Sequence, residues 1–112
     1  MKEINFIVSL SSEHRDRLRV IAFKEKGRII RFVAQYETFI NDEWKEIVRY
    51  DTAHGFAHKD IIHSDGSVEK QPLHFSDFNT AFTFAIQDLK ISWKWYKKAY
   101  EEEINDYKRG NY

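Results

Sequence analysis

The hydrophobic pattern changes period once, at about Ser76, and that switch limits the folds open to the chain. Before it, apolar residues recur at every second position. After it, they recur at every third or fourth. Ile4, Phe6, Val8 and Leu10 alternate, as do Leu18, Val20 and Ala22. That spacing puts side chains on one face of a strand. RIIRFVAQYETFI is the longest strand candidate. Its Ile30, Phe32, Ala34, Tyr36, Thr38 and Ile40 share one face, and its Ile29, Arg31, Val33, Gln35, Glu37 and Phe39 share the other. The second face mixes charged and apolar groups, so it is expected to be partly wet. EKG and NDE are the turns on either side, and WKEIVRYD returns with Trp44, Val48 and Tyr50 on one face. KDIIHSDGSVEKQ reads as a hairpin around a two-residue Asp65-Gly66 turn, ended by Pro72.

From Ser76 the period is helical. Phe78, Phe82, Ala85, Leu89, Trp93, Tyr96, Tyr100, Ile104 and Tyr107 make one amphipathic stripe. Ser76 is the expected N-cap, with Asp77 in the first turn, and KRG closes the helix. The expectation is one α+β domain over 1–112: an antiparallel meander of about five strands (2–74), packed by one long C-terminal helix (76–108). Such a helix is about 46 Å long, whereas an eight-residue strand covers about 27 Å. The helix should therefore overhang the sheet and leave Trp93, Trp95, Tyr96, Tyr100 and Ile104 in need of cover. A second copy would supply it, so a homodimer through the C-terminal helix is expected.

Composition narrows the functional classes. Eighteen basic residues balance eighteen acidic ones, so no global field gathers nucleic acid or an anionic membrane. The absence of cysteine removes disulfide frameworks, thiolate zinc sites and cysteine nucleophiles. MKEINFIVSL is a poor signal peptide, and no segment approaches the roughly 18 apolar residues that span a bilayer. A soluble, cytoplasmic protein with no membrane contact is expected. A glycine-rich phosphate loop, a serine elbow and a dinucleotide fingerprint are all missing. WKWYKKAY interleaves rings with lysines as a nucleic-acid stacking surface does, but rings at helical spacing read first as core or interface.

Chemistry concentrates in RYDTAHGFAHKD. A histidine pair can serve as base and acid when an RNA 2′-hydroxyl attacks its own phosphodiester. His54 and His58 are the candidates. Arg49 and Lys59 are the local cations for phosphate. Asp51 and Asp60 could orient imidazoles, and Tyr50 could position a group or donate a proton. Alternation puts Arg49 and Asp51 on one face and Tyr50 with Val48 on the other. A polar surface loop is the competing reading. His54-x₃-His58-x₄-His63 with Asp51 or Asp60 could also offer nitrogen and oxygen ligands. Gly55 and the flanking strands remove the helical geometry that would align those rings, so no metal and no cofactor are expected.

VAQYETFINDEWKEIVRYDTAHGFAHKDIIHSDGSVEK resembles a group of short prokaryotic proteins with no established function. They share a tyrosine-rich strand, an R-Y-D-x-A-H-G-x-x-H stretch and a trailing helix. Tyr50, Asp51, Ala53, His54 and His58 are also similar to the motif of the TumE family, the toxin components of toxin–antitoxin modules. Thr52 stands where that family typically has Asn. The resemblance implies a small cytoplasmic toxin acting on RNA, ribonuclease-like and metal-independent, with an antitoxin protein as partner. The rival expectation is a non-catalytic homodimeric interaction domain.

Overall fold

The computed structural model describes residues 1–110. Six strands form one sheet in the order of the chain: β1 (Lys2–Ser9), β2 (Asp16–Glu25), β3 (Arg28–Ile40), β4 (Glu43–Asp51), β5 (His58–Ile62) and β6 (Val68–Pro72). Every neighbouring pair is antiparallel. A single 3₁₀ turn, Ala53–Gly55, joins β4 to β5, and one helix, α1 (Phe78–Arg109), follows the sheet. The fold is α+β, an antiparallel meander packed by one long C-terminal helix. It has six strands where about five were expected, and the hairpin read after the histidine loop is the last two of them.

Turn chemistry sets the registers. Lys26 and Gly27 both have positive φ, as do Asn41 and Asp42. These pairs make the tight two-residue loops whose twist matches antiparallel strands. The β5–β6 turn departs from expectation. His63 N–H donates to Ser67 O at 2.8 Å, and Gly66 N–H to His63 O at 2.9 Å. Three residues, Ser64 to Gly66, therefore turn the chain, and only Gly66 among them takes positive φ.

The helix lies on the face that carries Leu18, Val20, Ala22, Phe32, Ala34, Tyr36, Val48 and Tyr50, all buried. Ala81, Ala85 and Leu89 of α1 are fully buried against them. Short alanines let the helix backbone approach the strands closely, and Phe82 meets Phe32 edge-on at 5.3 Å. Asp77, not Ser76, is the N-cap: its carboxylate accepts from Thr80 N–H at 2.8 Å. The helix ends on Gly110, at φ 75°, the left-handed geometry that glycine adopts without strain.

Two bulges move residues between faces. One interrupts β2–β3 at Ile30, and Ile29 is buried in the core. The other falls at Ile47 in β4, which is also drawn into the core. The Ile47 bulge separates Trp44 from Val48 and Tyr50. Trp44 sits instead on the open face, beneath the Arg17 guanidinium at 3.8 Å from its ring.

The expected overhang is much smaller than a sheet of eight-residue strands would leave. β3 has 13 residues, about 43 Å of strand, against about 48 Å of helix. Trp93, Tyr96 and Tyr100 are half-buried against their own sheet. Near the far end, Glu103 accepts from Ser64 N–H at 2.9 Å and lies 2.8 Å from His63 Nδ1. Ile91 and Trp95 are left outward, 79% and 73% exposed, and Tyr107 and Phe84 of the same helix are exposed as well. Among the described residues, no helix is long and apolar enough to cross a membrane.

Candidate functional site

β4 and β5 run antiparallel with Asp51 opposite His58 and Arg49 opposite Asp60. All four point to the open face, because residues two apart on a strand share a side. The pairing makes a compact block of one cation, two carboxylates and one imidazole. Asp51, His58 and Asp60 are only 7%, 4% and 7% exposed, although no helix covers this face. Ionisable groups so far from water normally have full sets of partners.

Here the partners are unevenly shared. His58 Nε2 lies 2.8 Å from Asp51 Oδ1 and 3.7 Å from Asp60 Oδ1. Asp51 also accepts from Ala53 N–H at 3.0 Å, which ties the start of the histidine loop to the strand end. Arg49 Nε stands 3.4 Å from Asp51 Oδ2, and its Nη1 stands 3.3 Å from Glu46 Oε1. Lys70, opposite Asp60 in the β5–β6 ladder, reaches both carboxylate oxygens at 3.3 Å. Three buried side-chain atoms lack a hydrogen-bond partner among the described residues: Glu46 Oε1, Arg49 Nε and His58 Nδ1. All three belong to this block or touch it.

The ring of Phe56, about half exposed, lies 5.5 Å from that of His58. An open cleft of about 260 Å³ adjoins Asp51, walled by Phe23, Arg31, Val33, Thr52 and Ala53. On the far side of the block, Glu37 accepts from Arg17 Nε at 2.5 Å and from the Gln35 amide. The block thus lies in a band of charge running across four strands.

Of the five residues expected to carry chemistry, the structure groups three: Arg49, Asp51 and His58. Lys59 is separated from them. As the chain neighbour of His58 it points through the sheet to the helix side, where Nζ donates to Tyr96 Oη at 2.7 Å. Its position 4.7 Å over the Tyr96 ring and 5.7 Å over that of Tyr50 adds cation–π attraction. Tyr50 faces the same way and donates to Asp88 at 2.6 Å. Burial first, and then that bond to Asp88, raises its phenol well above the ordinary value, so it holds the helix to the sheet. His54 sits exposed in the turn at φ 69°, on the loop between Asp51 and His58. His63 pairs with Glu103 at the helix, so the spacing His54-x₃-His58-x₄-His63 does not converge.

Sequence reasoning missed Lys70 and Glu46, and gave Asp60 an orienting role or a place in a three-histidine ligand set. Asp60 could have been found from the period alone, since it lies two residues beyond His58. Lys70 needed the true length of the β5–β6 turn. The donors that do converge are Asp51, His58 and Asp60, each with one ligand atom within 4.8 Å of the others.

No curated protein and no solved structure matches the chain. The model of one family, described as "Domain of unknown function (DUF7718)", matches residues 1–106, and the chain belongs to that family.

Proposed function

We propose that this chain is a toxin-like, RNA-directed protein of a toxin–antitoxin pair, acting in the cytoplasm through the Arg49–Asp51–His58–Asp60 block. The observation that carries the reading is the burial of Asp51, His58 and Asp60 together on the uncovered face, with His58 Nδ1 and Arg49 Nε left without a hydrogen-bond partner among the described residues and cations on both sides. A folded domain holds such groups at a cost, and polar groups converging beside a cleft make a candidate functional site. Arg49 and Lys70 flank the carboxylates and are placed to neutralise a phosphodiester. His54, exposed on the loop above, is the imidazole open to proton transfer. The motif shared with TumE toxins, Tyr50, Asp51, Ala53, His54 and His58, supports the same assignment.

The test is induced expression in bacteria, with growth and total RNA followed. Wild-type protein should slow growth and deplete RNA. Asp51→Asn and His58→Gln should relieve both effects while the purified variants keep the wild-type circular dichroism spectrum. Undiminished toxicity in both folded variants would overturn the assignment.

A second reading rests on Ile91 and Trp95, a turn apart on the outer side of α1 and both exposed. This pair is the surface proposed for a homodimer. Tyr96 and Tyr100 are no longer part of it, because their rings face the sheet. Trp95→Glu should split a dimer seen by sedimentation, and a wild-type monomer at high concentration removes the reading.

A further inference from the structure

One ligand atom each of Asp51, His58 and Asp60 lies within 4.8 Å of the others, and the two separations from His58 Nε2 are close to those of a coordination sphere. With metal–ligand bonds of about 2.1 Å, adjacent ligand atoms stand about 3.0 Å apart at right angles and about 3.4 Å apart in a tetrahedron. His58 Nε2 stands 2.8 Å from one carboxylate oxygen and 3.7 Å from the other, so the two separations bracket those values. The three side chains come from two paired strands rather than a flexible loop, so the sheet sets their spacing.

Charge points the same way. Asp51 and Asp60 are buried together, yet their cationic neighbours are at the outer limit of contact. Arg49 Nε is 3.4 Å away and without a hydrogen-bond partner, and Lys70 reaches 3.3 Å from a side chain that is 63% exposed. Buried polar atoms without partners call for an ion or water that completes them. Arg49 Nε is such an atom beside Asp51, while His58 Nδ1, on the far side of the ring, would carry the ring proton and donate it to water once Nε2 binds a cation.

We propose that Asp51, His58 and Asp60 bind one divalent transition-metal ion, Mn²⁺ or Zn²⁺, with coordination positions left open toward the cleft. One imidazole with two carboxylates suits these ions. The all-oxygen preference of Ca²⁺ and Mg²⁺ is not met, and no thiolate is present to select a softer metal. The open positions would take water or a phosphate oxygen. This is a different donor set from the three-histidine spacing that the loop sequence offers. It deepens the RNA reading and rests on it for the ligand at the open positions, while the binding of the ion itself is measured without RNA.

The experiment titrates MnCl₂ and ZnCl₂ into chelator-stripped full-length protein by calorimetry, and records the Co²⁺ absorption spectrum as a signature of coordination. One ion per chain should bind at micromolar concentration or tighter. Asp60→Asn and His58→Gln, confirmed as folded by circular dichroism, should each weaken binding by about tenfold or more. His54→Ala should bind as wild type does. Wild-type protein with no saturable binding below about 1 mM, equal weak uptake of Ca²⁺ and Mg²⁺, or folded variants that bind unchanged would each overturn the site. Metal uptake without RNA depletion would leave the site standing and remove the RNA reading. RNA depletion by a protein that takes up no metal would do the reverse.

Discussion

On the helix-covered face, Asp16 accepts from Tyr36 at 2.6 Å and from Lys97 at 3.2 Å, while Asp88 accepts from Tyr50 and Tyr96 at 2.6 and 2.5 Å. On the open face of the same sheet, Asp51 meets His58 Nε2 at 2.8 Å and Ala53 N–H at 3.0 Å, whereas Asp60 meets only Lys70 at 3.3 Å and His58 at 3.7 Å. Asp16, Asp51 and Asp60 are buried and Asp88 is half-buried, and they differ in how fully they are answered. A carboxylate that gathers two short donors can stabilise a fold, because the hydrogen bonds replace the lost hydration. A buried carboxylate such as Asp60, whose partners stand at 3.3 Å or more, carries residual charge, which a fold tolerates where a ligand or reaction uses it. The covered face therefore reads as architecture and the open face as chemistry.

The largest test of that contrast is Asp16→Ala. It strips the acceptor from the fully buried Tyr36 hydroxyl and from Lys97, and should cost about 3 kcal/mol, read as a lower urea midpoint. The open-face counterpart, Asp60→Asn, should change stability by less than about 1 kcal/mol, since it relieves a charge that is poorly compensated. Equal losses at the two sites would abolish the distinction.

Acid sharpens the same comparison. Burial pushes the Asp16 carboxyl up, but hydrogen bonds from Tyr36, Thr38 and Lys97, with the charge of Lys97, outweigh it and hold the group below its ordinary 3.8. A depressed carboxylate contributes stability that is present above the ordinary value and lost as pH falls through the folded one. Acid unfolding of the wild type should therefore steepen below about pH 4, and Asp16→Asn should remove that limb.

How much of this was legible in the sequence depended on the period. Alternation placed Arg49 and Asp51 together and Tyr50 opposite, and the change at Ser76 separated sheet from helix. Alternation also put Lys59 across the sheet from His58, so its place among the phosphate contacts ignored a rule already in use. The bulge at Ile47 was not legible. One inserted residue leaves no compositional mark, yet it turns Trp44 onto the other face. Nor was the turn at Asp65-Gly66. A two-residue turn there would set Asp60 against Gln71, and the observed three-residue turn shifts the ladder by one and sets it against Lys70. The block on the open face depends on that shift for its second cation.

A smaller effect is expected where the helix tip meets the β5–β6 turn. The hydrogen bond with Glu103 raises the His63 pKa above 6.5; partial burial opposes it, and the charges of Glu103, Glu69 and Asp65 add to the rise. A raised histidine contributes stability that is complete below the ordinary value and lost as pH climbs through the folded one. The pair is about one-third exposed, so solvent screening keeps its worth below about 1 kcal/mol. Thermal midpoints of the wild type should fall slightly on the alkaline side of pH 6.5, and Glu103→Gln should flatten that slope.

The smallest expected change in stability comes from Phe56, and it separates the two faces by accessibility. Phe82 on the covered side packs edge-on against Phe32, and Phe82→Ala should cost about 3 kcal/mol. Phe56 is 49% exposed and touches the His58 ring from outside, so Phe56→Ala should shift stability by no more than about 0.5 kcal/mol. It should nevertheless bare His58, which is almost wholly enclosed in the wild type. Modification by diethyl pyrocarbonate, with the labelled histidine located by peptide mass, should become faster at His58 in Phe56→Ala and stay unchanged at the exposed His54. An unchanged rate at His58 would mean that the strands themselves, and not the Phe56 ring, close the site. The entry route for a substrate or a cation would then be the cleft beside Asp51.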